Sequence, residues 1–183
     1  MLDQHYPRIG MIARWKPVHR GHWVTLRTLC KKADKLLIGI GSSNRYNVRN
    51  PFTAMETEEM LRLSLDDLNN YEIILVPDLD DGPRWREMVR NLFGDLDLFV
   101  TDNPYVNSLL EKDYHTCRPV ELLPPESHAR INGSMVRAMM ARGERWQDWV
   151  PASCVDYIQQ NKLDERFRNE FGLETLAMAT IVE

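Results

Sequence analysis

The sequence predicts an α/β protein built on a doubly wound parallel sheet of about five strands, with helices on both faces. Two features of its 183 residues lead to this fold class. Short apolar runs alternate with longer segments of helical period, which is typical of βαβ units. A hydrophobic content of 43%, with only 9 Gly and 10 Pro, is enough for a packed core. We therefore expect one domain over residues 1–183, with a core from about 8 to 161 and a helical extension and tail over 162–183.

Five apolar runs are the candidate strands. Each has the length of a strand and is followed by a segment of turn or helix character. In chain order they are Ile9–Ala13, Lys35–Ile40, Glu72–Val76, Leu96–Val100 and Arg118–Leu123. Five parallel strands in this order are enough for a Rossmann-like sheet. A last apolar stretch, Leu176 to Val182, leaves open either an additional strand or a contact within an oligomer.

Helix signals lie between and after the strands. The segment from His22 to Ala33 has apolar residues at steps of three and four. Thr53 followed by Glu56 predicts a capping box at a helix start, and Pro83 suits a first helical turn. Two later helices are predicted over Gly133 to Arg142, stopped by Gly143, and over about Ala152 to Asn161.

Charge is unevenly distributed along the chain. The formal net charge is −4, which argues against a nucleic-acid partner. Residues 4–55 nevertheless hold ten Lys or Arg and a single acid, so the first segment is basic. A local basic segment in an acidic protein indicates a small anionic ligand.

The cysteines and apolar runs bear on the compartment. Three cysteines without CxxC spacing indicate neither a disulfide framework nor a cysteine zinc site. The first ten residues lack the apolar region of a signal peptide, and no apolar run approaches the roughly 20 residues that span a bilayer. We expect a soluble cytoplasmic protein with no membrane partner.

The most informative segment follows the first predicted strand. Arg14, Lys16, His19 and His22 lie between that strand and the next helix. In parallel α/β sheets this turn lies where ligands bind, and helix N-terminal amides favour anions. The residues therefore predict a phosphate site. Taken alone, two histidines three apart are more often surface residues of a basic loop, and the HExxH pattern of a metal pair is missing.

Other segments are less specific on their own. Gly39 and Gly41 suit a tight strand exit, but Asn44 stands in place of a third glycine. An Asn-Pro pair at Asn103 indicates a plain turn by default. Ser134 and Arg137 lie three apart at a helix start, where both could meet a phosphate.

The whole string from Gly10 to His22 resembles the HxGH motif of the nucleotidylyltransferase superfamily, and most resembles the archaeal-type nicotinamide mononucleotide adenylyltransferases. The similarity extends to the turn after Leu37–Ile40, to Asn50–Ala54, to Asp78–Trp85, to the Asn-Pro turn of Thr101–Tyr105 near the nucleotide, and to Ile131–Arg137. It implies that the AMP moiety of ATP, with Mg²⁺, is joined to nicotinamide mononucleotide, giving NAD and pyrophosphate. It also implies a homo-oligomer.

The resemblance assigns roles to residues of this chain. His19, His22, Lys16 and Arg137 would be catalytic, with the two histidines on the α- and β-phosphate oxygens of ATP. Further ATP contacts would come from Arg14, Gly21, Ser134, Asn132 and Asn103. The nicotinamide nucleotide would meet Trp85, Asp78 and Ser42, with Trp85 stacked on the ring. No protein ligand for a metal is assigned. The competing interpretations are a core tryptophan at Trp85 and solvated acids at Asp78, Asp80 and Asp81.

The sequence departs from this family's pattern at several positions. Lys16 stands where glutamine is usual, Asn132 and Ser134 replace a more typical Ser and Thr, and Thr57 occupies a position where arginine is expected. Two alternatives therefore stay open. One is a related transferase with another acceptor, such as nicotinate mononucleotide, phosphopantetheine or FMN. The other is a non-catalytic nucleotide sensor.

Overall fold

The structure is a computed structural model that describes residues 4–127 and 130–180. The chain separates into two compact units whose segments alternate along the sequence. The sheet unit is drawn from Met1–Arg14, Val24–Asn44 and Asp67–His128. The helical unit is drawn from Trp15–Trp23, Arg45–Asp66 and Ala129–Glu183.

The sheet unit contains a five-stranded parallel sheet in the order β3-β2-β1-β4-β5. Its strands are β1 Tyr6–Ala13, β2 Ala33–Gly41, β3 Tyr71–Val76, β4 Leu98–Val100 and β5 Thr116–Cys117. The strand order reverses at β1, which pairs with β2 on one side and β4 on the other. Because parallel crossovers are right-handed, this reversal puts helices on both faces. The predicted doubly wound fold class is confirmed.

The helices are α1 Arg20–Lys32, α2 Ala54–Ser64, α3 Gly82–Phe93, α4 Pro104–Leu110, α5 Gly133–Arg142, α6 Ala152–Gln160 and α7 Leu163–Thr180. Short 3₁₀ turns cover Pro119–Glu121, Pro125–Ser127 and Trp146–Trp149. The predicted start of α3 near Pro83 and the range of α5 are confirmed. At the end of α5, Gly143 adopts φ 69° and its amide donates to the Met139 and Met140 carbonyls.

The core of the sheet unit lies between the strands and helices α3 and α4. Its buried side chains include Leu37, Val76 and Phe99 from strands and Val89, Phe93, Leu110 and Tyr114 from the helical face. Gly39 owes its place to this packing, because a Cβ there would lie 2.6 Å from Ile12 and 2.9 Å from the Phe93 ring. The glycine thus lets α3 pack closely on β2.

In the helical unit, the predicted capping box forms at the start of α2. The Thr53 hydroxyl accepts from the Glu56 amide at 3.2 Å, and the Thr53 amide donates to the Glu56 carboxylate at 2.9 Å. Arg166 of α7 donates to both Glu56 carboxylate oxygens, at 2.6 and 2.8 Å, and to the Pro51 carbonyl at 3.1 Å. These contacts fix the entry to α2 against α7.

One sequence prediction is wrong, and one of the two alternatives for the tail is excluded over its described part. The fifth strand was expected over Arg118–Leu123, but β5 occupies Thr116–Cys117 and a 3₁₀ turn begins at Pro119, which has no amide hydrogen for a sheet ladder. The apolar tail is not an additional strand over its described part, because α7 continues to Thr180. Residues 181–183 of that stretch lie outside the described residues. None of the helices that the structure describes is long and apolar enough to cross a membrane.

Candidate active site

The turn between β1 and α1 is mostly buried. Trp15 has a positive φ of 57° and no exposed surface, the peptide bond from Lys16 to Pro17 is cis, and Lys16 is only 2% exposed. His19 is 4% exposed, which is incompatible with a surface histidine in a solvated loop. Arg14, the last residue of the sheet unit before this turn, is exposed.

The two histidines are joined through the first turn of α1. The His19 carbonyl accepts from the Trp23 amide at 3.0 Å, so His19 is the N-cap residue. Its Nδ1 accepts from the His22 amide at 3.3 Å, and His22 Nδ1 lies 3.5 Å from the His19 amide. This is the reciprocal pattern of a capping box, made here by two imidazoles. The rings stack with centroids 3.5 Å apart, and Trp15 contacts the His22 ring edge-on at 4.7 Å.

This arrangement determines the tautomer of His19. A nitrogen that accepts from a backbone amide cannot carry a proton, so neutral His19 holds its proton on Nε2. Gly21 makes room for the ring, because a Cβ there would lie 3.1 Å from two of its atoms. The geometry therefore presents a fixed N–H donor for an anion.

Both histidines are held in the neutral form. Burial, with a smaller contribution from the nearby Arg137 charge, lowers the pKa of His19 to about 4. Burial and the neighbouring His19 lower the pKa of His22 well below its usual value, and a hydrogen bond to the Pro17 backbone opposes this shift. At neutral pH both imidazoles are thus uncharged, and His19 keeps its Nε2–H as a donor.

We expect His19 to titrate near pH 4 and His22 well below 6.5 in an NMR titration of the imidazole Cε1–H signals of the ligand-free protein. The unfolded chain titrates near 6.5 and binds more protons than the native state below that pH, so stability should fall as pH drops from about 7 toward 4. Arg137→Met should raise the pKa of His19. Titration of either ring at or above 6.5 would contradict this assignment.

Arg137 joins the start of α5 to the basic turn within the helical unit. Its Nη1 donates to the Lys16 carbonyl at 2.8 Å, and its Nη2 to the Ser134 hydroxyl at 3.1 Å. Gly133 leaves space for this contact, since a Cβ there would lie 3.1 Å from Nη1. The Asn132 side-chain oxygen caps α5 by accepting from the Met135 amide at 3.0 Å. The structure thus brings Lys16, His19, His22, Ser134 and Arg137 together, with Gly21 and Asn132 in supporting positions.

Thr57, where the resemblance leads one to expect arginine, is fully buried in α2. Its hydroxyl donates to the Thr53 carbonyl at 2.7 Å. The position therefore contributes packing and a local hydrogen bond to α2, and no cation.

In the sheet unit, other predicted residues follow the carboxyl ends of strands. Ser42 comes directly after β2 with a φ of 52°. Asp78 comes after β3, and its backbone exchanges two hydrogen bonds with the Asn44 side chain, at 2.8 and 2.9 Å. The Asn103 side chain caps α4 by accepting from the Tyr105 amide at 2.9 Å. The plain-turn interpretation of Asn103 thus describes its contacts.

Trp85 lies in the first turns of α3. It packs against the apolar cluster formed by Val89, Phe93 and Phe99, yet it stays half-buried. The core interpretation describes one side of the indole. The exposed part leaves surface for a flat ligand.

Some residues of this arrangement were missed in the sequence. Gly133 and Trp15 touch functional side chains directly, and Asn44 ties the turn after β2 to the segment after β3. For Gly133, the signal was its place directly after a helix N-cap. Trp15 carried no such signal, because a tryptophan directly after a strand is equally compatible with a place in the core.

The donor chemistry of the helical-unit cluster suits a phosphate better than a resident metal ion. It combines the Arg137 guanidinium and two imidazoles with the Ser134 hydroxyl. Among the described residues, no three His, Cys, Asp or Glu side chains are placed to hold a metal. These residues fit a magnesium ion carried by the substrate's own phosphates, which is how Mg²⁺ commonly enters nucleotide sites.

The molecule combines a doubly wound parallel sheet with a histidine pair at one helix N-terminus and an arginine at the start of a second helix. Together these features define a nucleotide-binding α/β protein of the transferase type. The family model described as cytidylyltransferase-like matches residues 13–139. The chain belongs to this family of nucleotidylyltransferases.

Relatives and solved structures agree with this assignment. The nicotinamide-nucleotide adenylyltransferase of Methanococcus vannielii is 30% identical over 90% of this chain and 99% of that protein. The enzyme of the same name from Methanoculleus marisnigri is 32% identical over 88% and 95%. In fold, the chain is similar to a bifunctional NMN adenylyltransferase/ADP ribose pyrophosphatase from Francisella tularensis, complexed with AMP and a manganese ion, with a TM-score of 0.71 at 18% identity. The match covers 97% of this chain but only 54% of that longer protein.

Proposed function

We propose that this chain is an adenylyltransferase that joins the AMP moiety of ATP to nicotinamide mononucleotide. A 5′-phosphate oxygen of the mononucleotide attacks the α-phosphorus of ATP, the bond from the α-phosphorus to the bridging oxygen breaks, and pyrophosphate leaves with the electron pair. The products are NAD and pyrophosphate. The observation that carries the proposal is the neutral histidine pair beside Arg137 and Lys16. The names of relatives about 30% identical over most of the chain support the same reaction.

The reaction demands alignment of two anions and stabilisation of the charge that develops on the α-phosphoryl group and the leaving group. His19 and His22 donate to the α- and β-phosphate oxygens of ATP, with His22 nearest the transition-state charge. Because both rings are neutral, they supply hydrogen bonds without holding the pyrophosphate product as a full cation would.

The cations and the hydroxyl complete the phosphate contacts. Arg137 is pre-positioned by the Lys16 carbonyl and by Ser134, so its guanidinium needs little ordering when ATP binds. Lys16 and Arg14 hold further phosphate oxygens, Ser134 donates to one, and Asn132 and Asn103 act through the helix starts that they cap. The ATP phosphates would carry a Mg²⁺ ion, which would supply charge neutralisation for the pyrophosphate.

The pyridine nucleotide is bound by residues of the sheet unit. The exposed part of Trp85 stacks on the nicotinamide ring, which is a flat cation in the free nucleotide. Asp78, fixed by Asn44, and Ser42 contact the remainder of this substrate. We further propose that residues 1–183 act as one nucleotidylyltransferase domain, that the protein forms a homo-oligomer, and that it works in the cytoplasm.

The test is product formation from ATP, Mg²⁺ and a panel of acceptors with purified protein. NAD and an equal amount of pyrophosphate should form with nicotinamide mononucleotide, as followed by chromatography and phosphorus NMR. Nicotinate mononucleotide, phosphopantetheine and FMN are the comparison acceptors. His22→Ala protein, purified in parallel, controls for contaminating enzymes.

Two other results of this acceptor panel would contradict the proposed reaction. An adenylated product and pyrophosphate formed only with nicotinate mononucleotide, phosphopantetheine or FMN would identify that compound as the acceptor in place of nicotinamide mononucleotide. Measurable ATP binding with no product from any acceptor would contradict the transferase function and favour a sensor.

A further inference from the structure

Tyr105 is a large exposed aromatic side chain beside the N-terminus of α3. It is the second residue of α4, and it is 62% exposed. A Cβ built on Gly82 would lie only 2.6 Å from the Tyr105 hydroxyl oxygen and 3.2 Å from a methyl carbon of Leu109. The phenol therefore rests against the backbone of Gly82, the first residue of α3.

This contact joins two segments that begin far apart on the sheet. Tyr105 follows β4 and Gly82 follows β3, and β2 and β1 lie between those strands. Three strand spacings amount to about 14 Å. The Tyr105–Gly82 contact thus spans the carboxyl end of the sheet on the face that carries α3 and α4. Ligands of doubly wound folds bind at this end, beside the point where strand order reverses.

Trp85 lies near the contact between Tyr105 and Gly82. It lies one turn after Gly82 on the same side of α3, and it packs against the cluster that Val106 and Leu109 of α4 also contact. Leu109 is one turn after Tyr105 and meets the same glycine. The facing sides of α3 and α4 therefore carry two partly exposed aromatic side chains, Trp85 and Tyr105, at the ligand-binding end of the sheet.

The first turn of α3 is poor in free amide donors. Pro83 has none, and the Arg84 and Trp85 amides donate to the Asp81 side chain and carbonyl, respectively. With Asp78, Asp80 and Asp81 close in sequence, this end does not suit a phosphate. It suits a flat, positively charged ring, which aromatic faces attract.

We propose that Tyr105 is a specificity-determining residue for the pyridine nucleotide, and that its phenol forms a second aromatic wall of the ring subsite with Trp85. This inference rests on the proposed function. It extends the ring subsite to Tyr105, a residue to which the resemblance assigns no contact with the nicotinamide ring. The ring of Tyr105 supplies the contact area.

The test compares the KM of each substrate in three variants. Tyr105→Ala should raise the KM for nicotinamide mononucleotide about tenfold, as expected for loss of an aromatic contact with a cationic ring, while kcat and the KM for ATP change less than about twofold. Tyr105→Phe keeps the ring and should give a smaller increase. Leu109→Ala is the matched control, because it removes the neighbouring contact with Gly82 without removing an exposed aromatic ring.

Two results would overturn the assignment. One is an unchanged KM for the mononucleotide in a folded Tyr105→Ala protein. The other is an equal increase of this KM in Leu109→Ala, which would show that Tyr105 acts only by packing α3 against α4. If the parent enzyme turns over no pyridine nucleotide at all, the proposed function fails together with this one. Normal turnover with an unaltered KM in Tyr105→Ala removes this inference alone.

Discussion

His22→Ala should lower kcat for NAD formation by about 10²- to 10³-fold, the usual cost of losing one transition-state hydrogen-bond donor. The wild-type ring is stacked on His19 at 3.5 Å and contacted by Trp15 at 4.7 Å, so its position is set before substrate binds. Because the donor meets charge that develops only during phosphoryl transfer, kcat should fall far more than KM for ATP rises. Steady-state kinetics at saturating nicotinamide mononucleotide measures the split.

The fold should survive this change. The backbone amide of His22 remains and still donates to His19 Nδ1, and the His19 carbonyl still accepts from Trp23. The ring's lost hydrogen bonds are the long one from the His19 amide at 3.5 Å and the one to the Pro17 backbone. His115→Ala, an exposed histidine of the sheet unit, is the matched control and should keep normal rates. A folded His22→Ala enzyme with near-normal kcat would remove His22 from the catalytic residues.

The sheet could be predicted from the sequence because its strands are buried. Leu36, Leu37, Ile38 and Ile40 of β2 are at most 2% exposed, so this strand reads as a continuous apolar run. The fifth strand could not be placed, since β5 pairs over two residues only and carries too little pattern. The tail was ambiguous for another reason. Its apolar residues lie at the end of α7, where the sequence shows little separation of apolar and polar faces.

The candidate site was predictable in its residue types and much less in its geometry. A basic turn before a helix predicts an anion site from backbone physics alone. No local pattern indicates that His19 and His22 cap α1 reciprocally, because capping boxes are recognised by hydroxyl and carboxylate residues. The sequence also gave no sign that Arg137 reaches the Lys16 carbonyl, 121 positions away. Asn132 and Asn103 were assigned to ATP, and their side-chain oxygens serve as helix caps, a role that asparagine favours.

Arg137→Met should lower kcat/KM for ATP by about 10²-fold or more, since it removes a charged, two-pronged phosphate donor from a half-buried position. Arg137→Lys tests the geometry separately. A lysine keeps the charge, but a single ammonium cannot reproduce the fork that now spans the Lys16 carbonyl and Ser134, so we expect only partial recovery. The measurements are initial rates at varied ATP, with thermal unfolding to verify the fold.

Arg142, a second arginine of α5, is the matched control for Arg137. Arg142→Met removes an exposed arginine of α5 whose acidic neighbour, Glu144, is 3.7 Å away, and it should leave kcat/KM within about twofold, as usual for surface changes. If Arg137→Met and Arg142→Met gave equal losses, the effect would be one of general charge. A large loss confined to Arg137, together with a raised pKa of His19, would place the guanidinium beside the histidine pair during phosphoryl transfer, because Arg137 now lowers that pKa.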